Sequence, residues 1–182
     1  HVHIFTIMLH YLYGNLYINR RNVLFVETGC PGKEGRKMDI VIIYDSKTGN
    51  TQKMAEAIAK GAMKEADNVI IKKIGESFPL TVIADSDGVL LGSPVYYADV
   101  SNDMKDFLDH IENYVKTGRR EINNIPAAVF GSYGYDGAWI MEEKLKARVQ
   151  LLGFKLYDDV CVLIDNEIKY NEESLKECEK FG

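Results

Sequence analysis

Residues 45–51 read D-S-K-T-G-N-T, and the apolar run D-I-V-I-I-Y leads directly into them. Ser46, Thr48, Asn50 and Thr51 are short side chains that can donate hydrogen bonds, and Gly49 lets the backbone curl close to what they hold. If a helix begins here, its unpaired N–H groups and the positive end of its dipole add to those donors. The chemistry this permits is capture of a phosphate dianion. Lys47 adds positive charge, although neutral donors can do most of the work. The ATP-binding pattern G-x-x-x-x-G-K-[ST] is absent. Ser, Thr and Asn also cap ordinary helices, but four of them within six positions exceed what one cap needs.

Two further clusters carry aromatic rings. Residues 92–99 read G-S-P-V-Y-Y-A-D and residues 131–137 read G-S-Y-G-Y-D-G. Each places two tyrosines, Tyr96 with Tyr97 and Tyr133 with Tyr135, where an apolar run has just ended. Beside a phosphate cradle, two such pairs point to stacking on a flat aromatic ligand. The competing reading is two tyrosine-rich turns packed on each other.

These clusters need a frame that brings them together. Apolar runs at 39–44, 69–74, 87–92, 127–130 and 160–164 have the length and uniformity of strands buried on both faces. Helical spacing of apolar residues falls at 51–64, 102–115, 138–152 and 172–181, with a weak signal between the second and third strands. Alternation of this kind predicts an α/β fold, a doubly wound five-stranded parallel sheet covered on both faces. Right-handed crossovers leave strand order 2-1-3-4-5 as the fitting topology. In such a sheet the ligand sits at the carboxyl ends of the strands, where the order reverses. All three clusters follow strands, so all three are expected at that end.

Composition narrows the chemistry. Residues 38–182 hold 17 basic against 25 acidic residues, a net of −8, while residues 1–37 carry a net of +3. A domain this acidic is a poor match for nucleic acid or anionic membrane; it suits a basic protein partner, bound transiently, and the competing reading is that the acidity serves only to keep it soluble. Cys30, Cys161 and Cys178 are widely spaced, without a C-x-x-C, which disfavours a zinc or iron–sulfur site and fits a reducing cytoplasm. Only His110 among the four histidines lies beyond residue 37, so a histidine-based triad has little raw material.

Residues 1–37 resemble nothing that follows. The stretch 1–18 is apolar but broken by histidines, Gly14 and Asn15, and is too polar for a spanning helix. A strand begins directly after Met38. The expectation is that 1–37 form an unstructured or non-native extension, with 38–182 as the folded domain; a membrane-proximal anchor is the alternative.

Here the motifs carry a resemblance. S-x-T-G-N-T after the first strand resembles the FMN-phosphate loop of the flavodoxin family, and F130-G-S-Y-G-Y-D-G resembles the third flavin loop of its short-chain bacterial members. The stretch 92–109 is similar to flavodoxin-like NAD(P)H-dependent FMN and quinone reductases. The resemblance implies a flavodoxin-like three-layer sandwich with non-covalent FMN. Ser46, Lys47, Thr48, Gly49, Asn50 and Thr51 would hold the phosphate. Ser93, Pro94, Val95, Tyr96 and Tyr97 would line one side of the isoalloxazine, and Ser132, Tyr133, Gly134, Tyr135 and Asp136 the other, with Tyr135 as the main stacker. It also implies that Tyr97 stands where many flavodoxins carry a glycine whose peptide turns its carbonyl to the flavin. A bulky residue disfavours the positive φ of that turn, so weak stabilisation of one-electron reduction is expected. The function implied is FMN-dependent electron transfer, as in a flavodoxin, with an NAD(P)H-dependent FMN or quinone reductase as the alternative.

If 46–51 cradle a phosphate, FMN binds far more tightly than riboflavin, because each charge-assisted hydrogen bond to the phosphate contributes roughly 1.5–3 kcal/mol. Titration of the flavin-free protein with both flavins checks this. Thr48→Ala with Thr51→Ala is expected to narrow the gap.

Overall fold

The computed structural model describes residues 37–118 and 121–182, and the backbone of two short strands before them. Those strands, β1 (Leu16–Ile18) and β2 (Leu24–Val26), pair antiparallel with Leu16 opposite Val26. The rest of 1–36 lies outside the described residues, and with it the expectation of an extension without structure. The chain divides into two units, His1–Arg36 and Lys37–Gly182.

The second unit is built on five parallel strands: β3 (Asp39–Tyr44), β4 (Asn68–Lys73), β5 (Gly88–Tyr96), β7 (Pro126–Tyr133) and β8 (Lys155–Ile164). Their order is β4-β3-β5-β7-β8, the expected 2-1-3-4-5 arrangement. A further two-residue strand, β6 (Asp99–Val100), folds back antiparallel on the end of β5. The helices are α1 (Asn50–Ala62), the single turn α2 (Thr81–Ala84), α3 (Asn102–Lys116), α4 (Ala138–Leu151), α5 (Asp165–Tyr170) and α6 (Glu172–Phe181).

The uniform apolarity of β3 has a geometric cause. Side chains alternate between the faces of a strand, and here both faces are covered. Val41 and Ile43 pack with Met104, Leu108 and Ile111 of α3 and Met141, Leu145 and Val149 of α4. Ile42 and Tyr44 face the other way, to Met54, Ala55 and Ile58 of α1 and Phe130 of β7. Each fully buried large side chain contributes roughly 1.5–3 kcal/mol, so the two cores hold the sheet from both sides.

Three strands run further than their apolar cores. β5 reaches Tyr96, β7 reaches Tyr133 and β8 starts at Lys155. Pairing of β5 with β7 continues through Ser93 opposite Gly131 and Pro94 opposite Ser132. Pairing of β3 with β5 has ended at Tyr44 opposite Gly92. Pro94 therefore sits beyond the reach of β3, where a missing N–H breaks no ladder on that side. Two clusters read as loops thus begin as strand. The backbone ladder, not side-chain hydrophobicity, extends them.

Helix α1 crosses α6 through Gly61. A Cβ built on Gly61 would lie 2.0 Å from the backbone oxygen of Glu179. Replacing glycine by alanine inside a helix normally gains up to about 1 kcal/mol. Here Gly61→Ala is expected to lose about 1–3 kcal/mol, because backbone on α6 cannot yield as a side chain would. A lower urea midpoint with an unchanged slope checks the sign.

Candidate functional site

The three clusters converge at the carboxyl ends of β3, β5 and β7. Asp45 follows β3, with its N–H donating to Gly92 O at 3.0 Å. Gly49 caps α1 at φ +89°, a left-handed conformation suited to glycine. No side chain caps this helix, so the loop's polar residues are not spent on capping. Ser46 is buried, and its hydroxyl accepts from Gly49 N–H at 3.1 Å, which curls the loop. Thr51 is buried and lies 3.0 Å, oxygen to oxygen, from the Ser132 hydroxyl, joining the first cluster to the third. The Asn50 amide nitrogen and one Asp45 carboxylate oxygen are buried without a hydrogen-bond partner. Lys47 and Thr48 are exposed at the crest. Lys47 leans aside: its Nζ is 3.6 Å from Asp103 and 5.6 Å from the centre of the Tyr96 ring.

The second cluster is a tight hairpin. Val95 pairs with Val100 and Tyr96 with Asp99, which leaves Tyr97 and Ala98 as the two turn residues. Their φ values are +53° and +55°. A two-residue turn of the I′ kind requires positive φ at both positions and normally uses Asn-Gly. Non-glycine residues pay roughly 1–2 kcal/mol each for this region. The expectation that Tyr97 would avoid positive φ is therefore corrected: the hairpin imposes it, and with it goes the argument for weak one-electron stabilisation.

Two supports hold that turn. Asp99 is gripped by Lys105 of α3 at 2.7 Å and Lys144 of α4 at 3.2 Å. The Lys105 hydrogen bond is the main reason the Asp99 carboxyl titrates below its ordinary range, with the Val100 N–H and Lys144 adding to it. From the other side Gly137, at φ +84°, approaches so closely that a Cβ there would be 2.5 Å from Ala98.

Ser93 takes a different place from the one expected. It is fully buried; its hydroxyl donates to Pro94 O at 2.9 Å and accepts from Ser101 N–H at 3.0 Å. Ser101 in turn caps α3 through Met104 N–H. The Ser93 side chain thus ties the hairpin to α3 instead of lining the cleft, and Pro94 is buried beside it.

Tyr97 and Tyr135 are both fully exposed and line one cleft of about 470 Å³, with Val95, Ala98, Gly134, Asp136, Gly137, Trp139 and Ile140. Tyr96 lines a neighbouring cleft together with Lys47, Tyr97 and Lys105. Burial, then the Asp45 charge, push the Tyr96 phenol above its ordinary range, with Lys47 opposing. Tyr133 is half-buried at the end of β7, opposite Ile164. The sequence reading missed Ala98, Trp139 and Asp45. Trp139, the single tryptophan, lies in the first turn of α4 two residues after the third cluster, and that position was the available signal.

A phosphate cradle on a strand–loop–helix turn, flanked by two aromatic loops on a 2-1-3-4-5 sheet, is a decisive combination, and the flavodoxin family model matches residues 42–182. The chain belongs to the flavodoxin family. An uncharacterised protein of Methanocaldococcus jannaschii is 37% identical over 80% of this chain, which spans 35% of that relative's length. A flavodoxin of Clostridium beijerinckii is 29% identical, covering 78% of this chain and 94% of its own. The crystal structure of oxidised flavodoxin 1 from Bacillus cereus superposes with a TM-score of 0.63 at 26% identity, over 79% of this chain and 93% of that one.

Flavodoxins bind FMN, and the residues here fit it. The first-turn amides of α1, which no side chain caps, the buried Asn50 amide with no partner and the buried Thr51–Ser132 hydroxyl pair form a donor-rich cluster whose chemistry suits a phosphate. Among the described residues no cluster of His, Cys, Asp and Glu can hold a metal, and no helix is long and apolar enough to cross a membrane.

The Asp99 clamp predicts a pH signature. Asp99→Asn is expected to cost about 1 kcal/mol near neutral pH. The folded-state titration of Asp99 is depressed, so its contribution is present above the ordinary carboxylate range and is lost as pH falls through the folded value. Urea unfolding of wild type and variant is expected to converge in acid.

Proposed function

We propose that the flavodoxin domain carries electrons on non-covalently bound FMN, passing them to and from basic protein partners in brief encounters. The observation that carries this reading is the side-chain-uncapped start of α1 with the unpartnered Asn50 amide, beside the cleft shared by Tyr97 and Tyr135. Bound there, FMN supplies the redox chemistry; the chain supplies orientation, shielding and electrostatics. Ser46, Asn50, Thr51 and Ser132 anchor the phosphate end. Tyr97, Tyr135 and Trp139 offer broad faces to the ring, and their exposure leaves the ring edge within reach of a docking protein.

Charge supports the choice of partner. Asp45 and Asp103 lie close enough to Tyr96 to raise its titration, as does Asp165, which also stands beside Gly134. Negative charge around the ring disfavours added electrons and makes the reduced flavin a stronger donor. The same charge, within a net of −8 over 38–182, attracts a basic surface over about a Debye length. A reducing cytoplasm belongs to the same reading: Cys161 and Cys178 are free thiols with sulfurs 3.4 Å apart.

Anaerobic titration separates carrier from reductase. NADPH alone is expected to leave the flavin spectrum unchanged, and dithionite to bleach it. Direct bleaching by stoichiometric NADPH would favour the reductase. With a basic haem protein as acceptor, the transfer rate is expected to fall steeply with added salt; a salt-independent rate removes the acidic surface from the account.

A further inference from the structure

Two buried polar atoms of the cradle lack partners, and they differ in kind. Asn50 Nδ2 is a donor; Asp45 Oδ2 is an acceptor. Their residues are 2% and 3% exposed. Folded proteins rarely leave such groups unpaired, so each calls for a partner that the chain itself does not supply.

A phosphate dianion answers only one of them. It accepts from Asn50, but it has no hydrogen to give Asp45, and its charge repels a carboxylate. Lys47 does not neutralise Asp45, since its ammonium is drawn to Asp103 and the Tyr96 ring. What Asp45 lacks is a neutral donor, and a hydroxyl is the group of that kind that tolerates a neighbouring phosphate. The backbone fixes where Asp45 stands. Its N–H is bonded to Gly92 O of β5, one residue before the cradle's Ser46. Its charge is felt at Tyr96, in the hairpin. Asp45 therefore lies between the phosphate loop and the ring-lining hairpin. In FMN the segment between phosphate and ring is the ribityl chain, a polyol.

We infer that Asp45 is a specificity-determining residue whose carboxylate accepts a hydrogen bond from a ribityl hydroxyl, so that the site selects flavins with a polyol chain over flavins with an alkyl chain. This rests on the FMN reading above. It assigns Asp45 to the chain of the cofactor and leaves the phosphate to Asn50, Thr51 and the α1 amides.

The test is fluorescence titration of the flavin-free chain of 182 residues with four probes. They are FMN, riboflavin, lumiflavin, which has a methyl group in place of the chain, and a flavin phosphate with an unhydroxylated pentyl chain. Asp45→Leu is expected to weaken FMN and riboflavin by the same factor, about ten- to a hundredfold for one charge-assisted bond. Lumiflavin and the alkyl-chain phosphate are expected to bind the variant as they bind wild type. Asp45→Asn, which keeps an acceptor oxygen, is expected to lose less. Wild type is expected to bind the alkyl-chain phosphate at least about tenfold more weakly than FMN; this arm needs no variant and stands if Asp45→Leu does not fold. FMN binding that is unchanged or tighter in Asp45→Leu overturns the inference, as does wild type that binds the alkyl-chain phosphate as tightly as FMN. Either result leaves the FMN reading intact. Wild type that binds none of the four probes overturns both.

Discussion

Everything at this site depends on a parallel sheet buried on both faces. Parallel pairing forbids tight hairpins between neighbours, so each strand must be followed by a crossover, and helices then cover both faces. The turns that leave the carboxyl ends of β3, β5 and β7 consequently lie side by side. The interaction that anchors this is the double-sided packing of β3, with Val41 and Ile43 against α3 and α4, and Ile42 and Tyr44 against α1. With β3 fixed, the loop from Asp45 to Gly49 and the start of α1 have little freedom.

The strands do not end together. β3 stops at Tyr44, whereas β5 and β7 continue to Tyr96 and Tyr133. That stagger forms a step. The cradle lies at its foot, and the aromatic hairpin and the third loop stand above it. The step puts the donor-rich loop at one end of the candidate site and the exposed rings at the other.

The hairpin is where local preference yields to tertiary demand. Tyr97 and Ala98 are poor residues for positive φ. They are held by Asp99 through two lysines on two helices, and by the close approach of Gly137. Strain that persists only because its surroundings over-determine it is typical of functional sites. Here it keeps a loop that lines the cleft shared by Tyr97 and Tyr135 in one shape without glycine. Asp45 and Asn50 each keep one buried polar atom without a partner in the same frame, a state that few groups in folded proteins share.

The sequence by itself determined the fold class, the strand order and the end of the sheet at which the three clusters meet. Hydrophobic period and segment length are local properties, and α6 (Glu172–Phe181) was legible to the residue. The donor-rich loop was legible for the same reason, because its donors and its glycine are contiguous. What only the tertiary structure decided depends on pairing between distant segments. The extension of β5 through Ser93 and Pro94 exists because β7 lies beside it. The inward turn of Ser93 exists because Ser101 is there to donate to it. The positive φ of Tyr97 follows from the two-residue closure of β5 on β6. No window of residues around Asp45 shows that one of its oxygens is buried without a partner. That fact depends on the tertiary burial of Asp45, whose own N–H is tied to Gly92 O of β5.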